Sequence, residues 1–295
     1  MKNLQETTYK SADWVGTFTP GSDAWHKIRS ESIGGSEIGT LCGLNPWESA
    51  YTLWAKKSKR IAESDLSANW SVRLGVAFES PILDLFAEEH PELEIYECGT
   101  YRHKTIPYLQ ANPDAVAYDR KLDRFYLIEI KTARATWEDA PVHYQAQVQH
   151  YMDVMQIHNA YLVAVAGMNY VEIPMFADPF QQSAQRDAAR RFWESLQKDI
   201  APDWDGSAST YETVRELHPD IDNEDVLIDG SHHLPLLQER FEEAESNLRQ
   251  AKSEIMALMG RAKHAYVEVD GTQIRVASRQ ARGTGRPFLV IKKAK

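Results

Sequence analysis

The chain has 295 residues, of which 43% are hydrophobic and 26% charged, and a net charge of −10; that is ordinary for a soluble globular protein of one large domain, or one domain with an appended piece. The acidic balance argues against a protein that merely coats nucleic acid, and the two isolated cysteines, Cys42 and Cys98, are too few for a disulfide framework or a Cys₄ iron–sulfur cluster. No apolar run approaches the roughly 20 residues of a membrane helix, and MKNLQETTYKSADW at the N-terminus lacks the apolar stretch of a secretion signal, so a cytoplasmic protein is expected.

Residues 1–22 show little periodicity and are expected to form an irregular arm. From Ala24 to Arg60 the pattern is helical with breaks, and Asn45-Pro46 interrupts it; Ser49 is placed to cap the last of these helices. Residues 72–90 put Phe78, Ile82, Leu85 and Phe86 on one helix face. Three short runs rich in β-branched and aromatic residues follow, IYECGTYRH, LQANPDAVAY and RFYLIEIKT, with a turn at Asp119–Asp123 between the last two. A helix over APVHYQAQVQHYMDVMQIH, strands at NAYLVAVAG and VEIPMFA, and a helix from PFQQ to QKDI complete residues 23–200. That order predicts an α/β domain with a mixed sheet.

Residues 201–231 read as a linker with short helical turns, and residues 232–295 as an extension. In the extension Leu234, Leu237, Phe241, Ala244, Leu248, Ala251, Ile255, Leu258 and Ala262 alternate by three and four, the seam of a coiled coil over about four heptads. Such a seam pairs with another helix or subunit, or packs on its own domain. A hairpin turning at Asp270-Gly271 follows. Charge is unevenly spread: residues 261–295 carry nine basic side chains and two acidic ones, a net +7, which leaves −17 on the rest. An acidic body with a basic tail suits an enzyme that gathers carboxylates around a metal and contacts a polyanion elsewhere; an ordinary solvated terminus has the same composition.

The chemistry centres on the hairpin around Asp119–Asp123. If its turn centres near Lys121, Asp114 lies opposite Ile128, beside Glu129. Along the second strand Leu127, Glu129 and Lys131 share one face and Tyr126, Ile128 and Ile130 the other. Two carboxylates and an ammonium thus converge, and burying them without partners is costly. Mg²⁺ answers that cost, because it takes carboxylate oxygens and keeps several waters. The lysine can orient or deprotonate a water, or offset charge on a phosphate, as phosphodiester hydrolysis requires. A structural ion-pair cluster at a strand edge fits the same spacing. Glu79, in G-V-A-F-E, offers a third carboxylate, or a solvated helix face. In the helix after the hairpin Tyr144, Gln147 and Tyr151 share one face, and Gln147 can donate to a phosphate or to the attacking water, or serve as a surface amide.

P-D-A…I-E-I-K-T followed by Y-x-A-Q-V-Q-H-Y-M resembles the core of the YqaJ-type viral recombinases and lambda exonuclease, a branch of the PD-(D/E)xK nucleases. A-W-H-K-I-R-S-E-S-I-G-G-S-E-I resembles the opening motif of that family, and G-L-N-P-W-E-S-A-Y-T-L-W-A-K-K is typical of it; the match spans about residues 24–170. The resemblance implies a restriction-endonuclease-like core, with Glu79, Asp114 and Glu129 and the carbonyl of Ile130 as ligands of Mg²⁺ or Mn²⁺, and Lys131 as the catalytic lysine aided by Gln147. Arg29 and Ser36 are similar to residues that hold the 5′-terminal phosphate. Trp25, an aromatic near the DNA entrance or a packing residue, lies beside them, as do Tyr144 and Asn112, the latter at a position often occupied by serine. The implied activity is 5′→3′ digestion of double-stranded DNA ends to a 3′ overhang, with a single-strand annealing protein as partner and a homotrimeric ring as assembly. An endonuclease on the same fold, or an inactive DNA-binding scaffold, are the alternatives.

Overall fold

A computed structural model describes residues 2–4, 9–63, 68–229 and 233–292. The chain divides into two compact units, Met1–Ile221 and Asp222–Lys295. The first contains β1 (Lys2–Asn3), β2 (Asp13–Gly16), α1 (Asp23–Ser30), α2 (Gly35–Leu41), α3 (Ala50–Lys57), α4 (Trp70–Glu89), β3 (Leu93–Glu97), β4 (Thr100–Arg102), β5 (Gln110–Ala111), β6 (Ala115–Asp119), β7 (Arg124–Ala133), α5 (Val142–Met155), β8 (Asn159–Ala166), β9 (Asn169–Phe176), α6 (Pro179–Lys198) and α7 (Ala208–Leu217).

The central sheet has the order β1-β3-β6-β7-β8-β9. Its β7–β8 pair is parallel and its β6–β7 and β8–β9 pairs antiparallel. A parallel pair needs a crossover, and α5 supplies it. Side chains of β7 alternate between two cores. Leu127 packs in a cluster with Val148 and Met152 of α5, whereas Ile128 and Ile130 pack with Ile82, Leu83 and Phe86 of α4. Helices therefore cover both faces of the sheet, which is why its central strand reads as a nearly continuous apolar run. Glu129, 2% exposed, is the charged residue inside that buried stretch.

Several expectations change in detail. Of the arm at 1–22, Met1 and residues 5–8 lie outside the described residues, but Lys2–Asn3 pairs parallel with β3 and Asp13–Gly16 antiparallel with β4. The packed face of α4 runs through Ile82, Leu83 and Phe86; Phe78 and Leu85 are 50% and 47% exposed. The β6–β7 register pairs Ala115 with Ile128 and Asp119 with Arg124, one residue from the expected register. A four-residue turn accounts for the shift: the carboxylate of Asp119 accepts the N–H groups of Lys121 and Leu122, and Asp123 adopts a left-handed φ of 48°. The unit boundary falls inside the segment 201–231, of which residues 230 and 231 lie outside the described residues. Its helix α7 meets α3 through hydroxyls, with Thr210 donating to Ser49 at 2.7 Å and Thr52 bonded to Thr213 at 2.8 Å.

The second unit holds α8 (Leu234–Met259), β10 (His264–Val269), β11 (Thr272–Gln280) and β12 (Phe288–Ile291). Asp270 and Gly271 take φ of 48° and 73° at the β10–β11 turn, as a two-residue hairpin demands. β12, not expected from the sequence, adds antiparallel to β11. Ala262, the end of the expected seam, lies beyond the last turn of α8. Lys293 and Lys295 of the basic tail lie outside the described residues.

Candidate active site

The expected hairpin delivers its charged groups to one place. Asp114 sits one position before β6, and its carboxylate accepts the Ile130 N–H at 2.5 Å. Glu129 and Lys131 share the face of β7 turned toward α5. There the Lys131 ammonium donates to Oε1 of Glu129, and Nε2 of Gln147 donates to the same oxygen at 2.6 Å. Gln147 also donates to the Tyr151 hydroxyl at 3.1 Å. The ring of Tyr144 lies 5.4 Å from the Lys131 nitrogen, placed for a cation–π contact. Tyr144 and Gln147 reach Lys131 and Glu129, and Tyr151 joins them through Gln147, because α5 presents i, i+3 and i+7 on one face.

Three carboxyl groups share one ammonium here. Burial, and then the charge of Asp114, raise the pKa of Glu79 to about 7, with Lys131 opposing. Burial and Asp114 likewise push Glu129 up, to about 8, and burial raises Asp114. Burial opposes the charge on Lys131, but Glu129 and Asp114 outweigh it and hold the ammonium protonated. Acid and base both rise because one cation cannot neutralise three acids. The second oxygen of Glu129, Oε2, is buried without a hydrogen-bond partner. A buried, half-satisfied carboxylate beside two others is a donor set short of positive charge, and a hard cation fits it. Among the described residues no three His, Cys, Asp or Glu side chains close into a cage: Lys131 occupies one oxygen of Glu129 and the Ile130 N–H one of Asp114. Ile130 itself buries its side chain against α4 and brings its backbone to Asp114.

Two of the acids, Glu79 and Asp114, line a cavity of about 290 Å³ together with Trp25, Arg29, Ser36 and Asn112, with Gly35 and Tyr151 among the remaining wall residues. Six residues singled out from separate motifs thus meet in one hollow. Tyr144 is not among its wall residues and lies instead against Lys131. Helix α2 starts at Gly35, and the Gly34 N–H donates to the carboxylate of Glu37 at 2.9 Å, leaving Ser36 exposed in the first turn. The amide of Asn112 donates to Thr100 at 2.6 Å and accepts from Gln110 at 3.0 Å.

Arg29 is held by residues the sequence did not single out. Its Nη2 donates to Glu37 at 3.1 Å, and its guanidinium carbon stands 4.7 Å from the centre of the Trp25 ring. Lys57 donates to the carbonyls of Arg29 and Ser32, both at 2.7 Å, and lies 3.0 Å from Glu37. Burial pushes the Glu37 carboxyl up, but Lys57, Arg29 and the Gly34 N–H outweigh it and hold it below the ordinary range. Glu37 is therefore an anion that fixes the guanidinium, and Nε of Arg29 is left buried without a partner. The glutamate three residues after Gly34, at the N3 position of a capping box, is the one sequence signal that could have marked Glu37. A larger open hollow of about 760 Å³ lies beside α1 and α3, but three of its cations, Lys56, Lys57 and Arg60, are paired with Glu48, Glu37 and Asp199.

A mixed sheet covered by helices on both faces, with an aspartate opposite a Glu-x-Lys strand, defines the PD-(D/E)xK class of fold. Residues 24–160 match the family model of the YqaJ-like viral recombinase domain. The chain is 24% identical over 261 residues to the protein YqaJ of Bacillus subtilis (strain 168), covering 83% of this chain and 80% of that one. It is 28% identical over 155 residues to protein D345L of African swine fever virus (strain Badajoz 1971 Vero-adapted), covering 43% of this chain and 44% of the viral protein. Among solved structures it is similar in fold to an alkaline exonuclease from Laribacter hongkongensis, with a TM-score of 0.50 and 19% identity over 61% of this chain and 94% of that one.

Proposed function

We propose that the protein is a Mg²⁺-dependent exonuclease that degrades one strand of double-stranded DNA from its 5′ end and leaves a 3′ overhang for a single-strand annealing protein. The observation that carries this reading is the shared cavity: Glu79 and Asp114 line it together with Arg29, which keeps an unused buried donor. An endonuclease has no need of a separate anion pocket beside its acids. Viral recombinase and alkaline exonuclease, the names attached to the domain and to a structural neighbour, agree with DNA-end processing.

Glu79, Asp114, Glu129 and the carbonyl of Ile130 would hold Mg²⁺, or Mn²⁺ in its place, which supplies an activated water and positive charge at the scissile phosphate. Lys131, held protonated by its acids, offsets charge on the phosphate and orients the attacking water. Gln147 fixes the rotamer of Glu129 and stands ready to bond the same water. Arg29 meets the terminal phosphate with a planar, paired set of donors, which distinguishes it better than an ammonium would. Ser36 and Trp25 flank it, and Asn112 shapes the wall. Among the described residues no helix is long and apolar enough to cross a membrane; the proposed location, on the substrate, is the cytoplasm. The family resemblance adds a homotrimeric ring around the DNA.

The reading is tested by incubating linear and covalently closed circular duplexes with the protein, with and without Mg²⁺. Only the linear duplex with Mg²⁺ should be consumed. Degradation of the closed circle would favour the endonuclease.

A further inference from the structure

Helix α8 carries an apolar stripe that its own unit leaves uncovered. Leu237, Phe241 and Leu248 are 56%, 60% and 48% exposed, and Ala244 and Ala251 on the same face are exposed. Among the described residues of this unit, Met259 and Ala277 are the buried hydrophobics. A 26-residue helix and a three-stranded sheet with so little core need apolar surface from elsewhere to be stable.

The order of side-chain sizes along the stripe says what that surface is. We propose that α8 pairs antiparallel with α8 of a second copy of this chain. Reversal about a point between Ala244 and Leu248 sets Phe241 against the partner's Ala251, Leu248 against the partner's Ala244, and Leu237 against the partner's Ile255. Each central layer then joins one large and one small residue, which is how facing helices interdigitate without voids. Parallel pairing would stack Phe241 on its own copy and leave two layers of facing alanines unfilled. Charge agrees: flanking the seam, Arg240 meets the partner's Glu254, and two-fold symmetry makes that contact twice. The one opposing feature is Glu245, which meets its own copy near the axis. The pairing closes on itself, so it adds a two-fold contact whether or not the first unit also assembles, and it does not depend on the nuclease reading.

Cysteine cross-linking of the full chain tests the direction. Phe241→Cys with Ala251→Cys should give a covalent dimer under mild oxidation, one that wild type with Cys42 and Cys98 does not give. Ala251→Cys alone should not, because antiparallel pairing holds its two copies about 15 Å apart along the axis, beyond the ~7 Å that a disulfide spans. Light scattering provides an independent measurement: Leu248→Glu should halve the subunit count while digestion of linear DNA continues. Efficient cross-linking by Ala251→Cys alone would mean parallel pairing and overturn the proposal. So would a double variant that stays uncross-linked together with a Leu248→Glu mass equal to wild type, which would place the stripe against its own chain or a different protein.

Discussion

Gly35 is the point at which the proposed anion pocket and the candidate acids are mechanically joined. A Cβ built there lies 2.3 Å from Cε1 and 2.7 Å from Cζ of Tyr151, and 2.9 Å from Cγ of Gln147. Ordinary carbon contacts are about 3.5–4.0 Å, so in Gly35→Ala the tyrosine must retreat by more than ~1 Å. Tyr151 is 5% exposed and has little room to do so. Overpacking of that kind costs about 1–3 kcal/mol, against a gain of roughly 1 kcal/mol from replacing a helical glycine by alanine. The net expectation is a loss of about 0–2 kcal/mol at a position where helix propensity alone forecasts a gain. The larger effect is on rate. Tyr151 accepts from Gln147, and Gln147 holds Glu129, so a displacement of about 1 Å passes to the acid and should lower turnover about 100-fold. Calorimetry and a linear-duplex digestion assay read the two effects. Gly34→Ala, with no atom within 4 Å of its added carbon, is the control for stability. A Gly35→Ala protein that is more stable than wild type and digests DNA at the wild-type rate would refute the coupling.

Other outcomes follow from the same geometry. Lys131→Ala should abolish cleavage while Mg²⁺-dependent DNA binding, read by fluorescence anisotropy, persists; near-normal turnover would remove Lys131 from the mechanism. Glu129→Ala and Asp114→Ala should each lose Mg²⁺ or Mn²⁺ binding in calorimetry along with activity, and Glu79→Ala, on a half-buried helix position, should lose less. Unchanged metal affinity in the first two variants would count against the site. The raised pKa values give a pH dependence with a definite sign. Glu79 titrates at about 7 in the folded, metal-free protein, against about 4.3 when unfolded. Its protonated form therefore favours the fold below about pH 4.3, and that contribution drains away as pH rises toward 7; Glu129, also raised, extends the trend upward. Metal binding requires both carboxylates ionised, so the increase in Tm produced by Mg²⁺ should grow between pH 5.5 and 8.5. A Mg²⁺ effect on Tm that is flat across that range would show that these acids do not bind the metal.

The clustering of the candidate residues is legible in the sequence because two periodicities act on it independently. Alternation along β7 places Glu129 and Lys131 on one face, as found, and the 3.6-residue repeat of α5 brings Tyr144, Gln147 and Tyr151 to that same face. The register was missed by one residue because it depends on the conformation of a turn, which the left-handed Asp123 decides. Glu37 and Lys57 escaped notice for a different reason: their importance lies in a buried tertiary ion pair with no periodic signature. The face of α4 was drawn too wide because Phe78 and Leu85 are apolar yet exposed. Strands of two to four residues such as β1 and β2, and a helix like α7 bound through serine and threonine, hold their shape by pairing rather than by pattern.

Whether the pocket recognises a 5′-terminal phosphate beside the proposed catalytic acids is decided by a ratio of rates. Linear duplexes bearing 5′-phosphate or 5′-hydroxyl ends are digested in Mg²⁺ by wild type and by Arg29→Ala. Charge-assisted contacts are worth roughly 1.5–3 kcal/mol each, so wild type should favour the phosphorylated end by about ten- to a hundredfold, and Arg29→Ala should bring the ratio close to one, mainly by slowing that substrate. Equal rates on both ends by wild type and variant alike would contradict the pocket and leave the acids without an end-recognition site.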